Sequence, residues 1–446
     1  MRSKSLPKRV ESAHPFCLCA RIDGLVTDLH ISAPGYNTAL AVYFIGYVIF
    51  EIPADVRPGI VSICQGIVSN QAGLLCVRFF LGAAEAGLFP GVVYVFSLYY
   101  RRCERSWRVA IFFGGAALAG AFGGILAFAI GLMDGVSGRR GWQWIFIIEG
   151  ALTAAISLAA YFIVPTWSHK AKFLSETERV HLLERLRADS DVGTHQSFQW
   201  SGVRSAFEDH LVWAYAFLFH GFSFVLYSFS LFLPTIVAGL GFQAWQAQLM
   251  TVPPNVVATL SIWGTVWLSS KWGIRAPFII ASAVVTIIGY TILVTAETPG
   301  VQYFGVHLAA GGCSRSSIFW LVAIVAAGVC TGDSLLLSWP GENVSGQSKR
   351  AVAVALQITI GDIGAIAGCL VYRPSLSSHL YRKPNLIAIG YLVFAILVTV
   401  YLWAMMAREN RRREQLLAEN VEILPELVTE DKLRLGDRSV YYTYQL

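Results

Sequence analysis

Along this chain the apolar residues gather into long unbroken runs, and the polar ones into short segments between them. Runs cover 36–53, 71–100, 107–133 and 141–164, then 211–238, 246–269, 276–295, 301–330, 350–372 and 385–406. Most reach about 18 residues or more, the length at which a helix crosses a hydrocarbon layer about 30 Å thick. The pattern predicts an all-α polytopic membrane protein of about 10–11 spans. One run departs from it. Residues 60–69 reach only about 15 Å as a helix and cannot cross alone.

The polar segments set the organisation. Residues 1–35 are mixed, with a basic start (Arg2, Lys4, Lys8, Arg9), and no secretory leader is expected from them. A first, incomplete helical bundle is expected over 36–164, a polar central loop over 165–210 and a second bundle over 211–407. A charged, solvated, partly helical tail is expected over 408–446. Ser175-x-x-Glu178 in the central loop is a capping box that opens a short helix. Lys and Arg cluster at 101–108, 170–187, 271–275, 349–350 and 408–413, which places those segments and the tail in the cytoplasm. Two clusters fall on the other side, Arg139–Arg140 and Arg373, Arg382 and Lys383. Asn343-Val-Ser345 matches the glycosylation pattern but lies on the cytoplasmic side of this topology.

Composition adds exclusions. Of 446 residues, 55% are hydrophobic and 14% charged, against about 25% charged in a soluble protein. The net charge of +6 comes in short clusters between apolar runs, so no nucleic-acid partner is expected. The eight cysteines are scattered and read as apolar fillers, without zinc-like spacing. No Ser-His-Asp order, metal cluster or phosphate loop stands out. An enzyme is not expected, nor a cofactor or metal.

The distinctive chemistry lies at 78–108. Arg78 and Glu85 are seven residues apart, so a helix places them on one face, with Gly82, Ala83 and Ala84 between them. A charge at membrane depth costs at least a few kcal/mol and turns toward a partner or a watery cavity. Two readings stand: an arginine lining a substrate pathway, which is preferred, or a buried Arg–Glu pair that locks packing. Pro90 predicts a kink. Gly114, Gly115, Gly120, Gly123 and Gly124 give the next helix a flat face for close packing. Glu149, behind the interfacial Trp142 and Trp144, reads as packing, with proton coupling as the alternative.

Several stretches carry a resemblance. YFIGYVIFEIP, RFFLGAAEAGLFPG, GWQWIFIIEGALT, FLPTIVAGLGF, YFGVHLAA, LLSWPGENVSGQSKRAVAVALQI and GDIGAIAG are similar to the major facilitator superfamily, anion:cation symporter branch. Within it they look most like fungal allantoate and vitamin permeases, over about three quarters of the chain. The resemblance implies two six-helix bundles around a central cavity and alternating access. It implies a small organic anion as substrate, a proton as coupling ion, a lipid bilayer as surroundings, and by family default the plasma membrane. A monomer is expected. Arg78, Glu85, Tyr227 and Gln357 become substrate-binding candidates, and His220, Asp362 and Glu149 proton-coupling candidates. For His220 an interfacial hydrogen bond is the equal alternative, and for Asp362 a structural role. Lys271 and Arg275, in LSSKWGIRAP, stand in the gating loop.

Three departures from the family pattern accompany these matches. Against the family pattern the first span looks missing, with 16–20 in its place; the loop and half a helix between Pro53 and residue 60 look deleted; and CSRSSIFWLVAIVAAGVCTGD looks inserted before SLLLSWPGENVSG. Ser270 and Asp362 also replace the usual aspartate and asparagine. The leading expectation is secondary transport, by uptake or by export of a secondary metabolite. A non-transporting truncated paralogue, or an imperfect gene reading, is the alternative.

Overall fold

The computed structural model describes residue 20 and residues 24–50, 58–163, 174–189, 200–239, 252–295, 314–371, 382–419 and 436–446. Every regular element among them is helical, as the runs predict. The first group comprises α1 (Ala33–Phe50), α2 (Pro58–Gln65), α3 (Gln71–Glu85), α4 (Leu88–Tyr99), α5 (Arg102–Gly131) and α6 (Gly141–Ile163). The polar connection contributes α7 (Glu176–Asp189) and α8 (Trp200–Glu208). The second group comprises α9 (His210–Gly239), α10 (Val252–Trp272), α11 (Ala276–Thr295), α12 (Ser314–Asn343), α13 (Gln347–Val371) and α14 (Arg382–Glu419). Among the described residues, five stretches are individually long and apolar enough to cross a membrane: Glu104–Gly131, Gly141–Ala160, His210–Ser230, Ser348–Val371 and Arg382–Glu419.

Within the first group α1 packs along α3, and α2 packs on α3 and α6. Within the second, α9 packs on α13, and α11 on α12 and α14. The groups meet where α1 lies on α13 and where α5 lies on α10 and α12. The crossing of α5 on α10 relies on small residues. A Cβ on Gly114 of α5 would strike Trp263 of α10, and Thr259 Oγ1 donates to the Gly114 carbonyl at 3.2 Å. Gly120 sits against Asn255. The expected glycine face of α5 is thus a helix contact at these two positions.

The single run 71–100 is two helices. Asn70 caps the first, its Oδ1 accepting from Gly73 N at 2.7 Å, and the chain breaks at Ala86–Gly87. Pro90 then falls in the first turn of α4, where its missing N–H costs nothing, so the expected kink is a stop and restart. The stretch 314–333 is no appendage. It is continuous with 334–343 in α12, and its Gly328 and Gly332 pack tightly on Thr286, Ser282 and Phe222.

Of the tail expected to be partly helical and solvated over 408–446, residues 408–419 continue α14 with most side chains exposed. At 436–446 the expectation is overturned, because Asp437, Ser439, Tyr442 and Tyr444 are buried. The capping box forms as read: Ser175 N donates to Glu178 Oε2 at 3.0 Å, and Glu178 N to Ser175 Oγ at 3.3 Å.

Candidate functional site: a buried arginine and a charged latch

Helices α1 and α3 approach closely because Gly46 and Gly82 face each other's backbone. A Cβ on Gly46 would strike the Phe79 carbonyl, and one on Gly82 the Tyr43 carbonyl. That approach sets the Tyr43 hydroxyl 2.5 Å from Glu85 Oε2, to which it donates. One helical face therefore presents Arg78 and Glu85, but they form no ion pair with each other. Arg78 is fully buried and turns to Gln65 at the end of α2. With the Gln65 amide oxygen toward the guanidinium, Oε1 accepts from Nη2 at 2.6 Å and from Nε at 3.1 Å. The opposite orientation would set N–H against N–H. Nη1 of Arg78 finds no acceptor among the described residues. The Phe146 ring of α6 lies 5.9 Å from the guanidinium carbon.

Aromatic side chains continue this region toward the second group. Tyr43 and Tyr47 rings lie 6.2 Å apart. Phe44 meets Tyr227 of α9 edge-on at 4.9 Å. The structure thus brings the second-group candidate Tyr227 to the helix carrying Tyr43. At the end of the same crossing, Asn37 Nδ2 donates to the Cys369 carbonyl at 2.9 Å and ties α1 to α13.

The other candidates lie elsewhere. Gln357 is fully buried on α13, its Nε2 donating to the Leu336 carbonyl at 3.0 Å, while its Oε1 finds no partner among the described residues. Asp362 and Glu149 are buried on α13 and α6. His220 is held between α13 and α14: its Nδ1 is 2.8 Å from the Ile360 carbonyl and its ring lies 5.6 Å from Tyr391. That bond fixes Nδ1 as the protonated nitrogen of the neutral ring.

A second charged constellation lies where the basic clusters meet. Arg275, between α10 and α11, is buried and pairs with Glu342 of α12 at 2.5 Å. It also donates to Ser338 Oγ at 2.6 Å and to Ser106 Oγ at the start of α5. Ser106 in turn donates to Glu342 Oε1. Beside it Arg105 Nη1 donates to the Gly341 carbonyl at 3.0 Å. Helix α5 belongs to the first group and α12 to the second, so Arg275 and Glu342 latch the groups together. Lys271, the other gating-loop candidate, is outside this latch. It is exposed, with its Nζ 5.3 Å from the Trp267 ring. Asn343 is buried and its amide is engaged by Tyr215 and Gln445, which leaves no room for a glycan.

Sequence reasoning missed Gln65, Arg105 and Ser106. Gln65 is the single large polar residue in the short apolar run 60–69, which is the signal that could have found it. The two others belong to a cluster read only as a topological marker.

The model of the family described as Major Facilitator Superfamily matches residues 59–369. The MFS transporter prlL of Fungal sp. (strain NRRL 50135) is 35% identical over 405 residues, covering 87% of this chain and 79% of that protein. The high-affinity nicotinic acid transporter of Saccharomyces cerevisiae is 28% identical over 442 residues, covering 95% and 79%. Among solved structures, the proton:xylose symporter XylE with bound 6-bromo-6-deoxy-D-glucose superposes with a TM-score of 0.61 at 14% identity, covering 87% and 93%. A bacterial homologue of the human lysosomal transporter Spinster, inward-facing, gives 0.55 at 14% identity, covering 87% and 95%.

Proposed function

The chain belongs to the Major Facilitator Superfamily, and on that footing we propose that this multi-pass membrane transporter carries a small organic anion, coupled to a proton, by alternating access. Its relatives are transporters, which sets it apart from enzymes. The observation that carries the anion is Arg78: fully buried, facing a neutral amide, with Nη1 lacking an acceptor among the described residues. A buried cation without a carboxylate partner is costly, and a carboxylate substrate would lower that cost. Arginine's planar fork suits such a group, because it can offer two parallel N–H donors. The rings of Phe146, Tyr43, Tyr47, Phe44 and Tyr227 along the same region favour an aromatic monocarboxylate. The similarity to a nicotinic acid transporter supports that choice. Glu85, held by Tyr43 on the same helical face as Arg78, is the carboxylate best placed to exchange a proton as the anion arrives.

Uptake of radiolabelled nicotinate by cells producing the protein tests this reading. Uptake that is lost in Arg78→Ala at unchanged membrane abundance supports it. A second reading has one observation behind it: α2 has eight residues, about 12 Å of helix. A non-transporting paralogue would give equal accumulation in producing and empty-vector cells for every carboxylate tried.

A further inference from the structure

The latch has a second layer, made by residues 436–446. Four side chains of the second group read the backbone of this segment. Asn343 forms a two-way clasp with Gln445, its Nδ2 donating to the carbonyl at 2.9 Å and its Oδ1 accepting from the amide at 2.7 Å. Asn410 does the same for Tyr444, with both bonds at 2.9 Å. Arg413 donates to the carbonyls of Tyr442 at 2.7 Å and Asp437 at 2.9 Å, and Trp339 Nε1 to that of Gln445 at 2.9 Å. Side chains then fix the register. Asp437 Oδ2 lies 2.5 Å from Lys349 Nζ, which also reaches Asp209 at 2.7 Å. The Tyr442 and Tyr444 rings are buried edge to face at 5.4 Å, and Arg413 stacks on Tyr444 at 4.8 Å. Such matched donor and acceptor pairs, away from water, describe a built peptide site.

The segment touches the latch itself. Tyr442 OH donates to the Glu342 carbonyl at 3.0 Å, and the Leu446 carbonyl accepts from the Arg275 amide at 2.5 Å. Glu342 and Arg275 are the two residues whose ion pair joins α12 to α5 through Ser106. We propose that residues 436–446 are an intramolecular strap, which docks in a backbone-reading groove on α12, α13 and α14 and holds Arg275 and Glu342 in the cross-link that closes this end of the transporter. Opening at this end breaks the α5–α12 contacts, and the docked strap raises its cost by fixing both latch residues. Undocking the strap is therefore a means of regulating transport, independent of what the substrate is.

Hydrogen–deuterium exchange on the purified full-length chain tests this, with no substrate needed. In the wild type the amides of Tyr444 and Gln445 are protected, and so are those of 104–108 and 341–345. Removing 436–446 is expected to speed exchange at 104–108 and 341–345 about tenfold, with the far ends of α5 and α12 unchanged. A synthetic GDRSVYYTYQL peptide restores protection, and a scrambled one does not. Should the shortened chain aggregate, Asn410→Ala in the full chain decides, because it frees the strap without touching the latch. Fast exchange at 444–445 with unchanged exchange at 104–108 and 341–345 would overturn the proposal and leave the segment a passive anchor.

Discussion

Gln65, at the end of an eight-residue helix, accepts two hydrogen bonds from Arg78, the one fully buried arginine among the described residues. Glu85, a carboxylate on the same helical face, is instead engaged by the hydroxyl of Tyr43. The arginine's hydrogen bonds thus go to a neutral group, and Glu85 acts on its charge only through space.

Gln65→Glu would supply the missing negative charge inside the protein. The expected result is a folded variant, as thermally stable as the wild type or more so, in which anion uptake falls at least tenfold. Gln65→Leu leaves the guanidinium donors unpaired, and unfolding should come earlier by about 1–3 kcal/mol. Uptake and fluorescence-detected thermal unfolding in detergent distinguish the two.

Gly82→Ala drives a methyl group into the Tyr43 carbonyl, which is backbone and cannot swing aside. Over-packing of this kind costs about 1–3 kcal/mol. It also separates Tyr43 from Glu85, so transport should fall further than stability does. Gly264→Ala, where a Cβ meets open space, is the control and should change little.

At the latch, Arg275→Ala strands the carboxylate of Glu342 in a site with 1% side-chain exposure. Breaking a buried pair from one side costs about 3–5 kcal/mol. Lys271→Ala, four residues earlier and exposed, loses only a contact with Trp267 worth at most about 1 kcal/mol. Thermal unfolding of the two variants should rank them in that order.

The hydrogen bond from the Ser175 backbone, followed by that from its hydroxyl, holds the Glu178 carboxyl below its usual value. A depressed carboxylate contributes stability that is present above its unfolded pKa and fades as pH falls through the folded one. Exchange of the first-turn amides of α7 should therefore quicken in acid relative to a neutral reference peptide. Ser175→Ala should remove that dependence.

Much of this was legible in the sequence. Helices with a uniform apolar run announce themselves, and the seven-residue spacing of Arg78 and Glu85 places both on one face whatever surrounds them. Partners were less legible. Gln65 meets Arg78 through the packing of α2 on α3, which no local spacing encodes. The Gly46–Gly82 contact was half visible, since Gly82 stands among the small residues between Arg78 and Glu85 while its pairing with Gly46 is a matter of register. The segment 436–446 was read as solvated because it lacks an apolar run; its burial comes from tyrosine rings and backbone hydrogen bonds, which hydropathy does not register. Pro90 carried a correct signal of a break, but the sequence could not distinguish a kink from a new first turn.

The most direct test of the central claim is ligand-induced stabilisation of the purified protein by an aromatic monocarboxylate and by its uncharged amide. The account predicts that the acid raises the unfolding temperature of the wild type, that the amide does not, and that Arg78→Ala loses the response while remaining folded. An amide that stabilises as well as the acid, or an Arg78→Ala protein that responds as the wild type does, would contradict it.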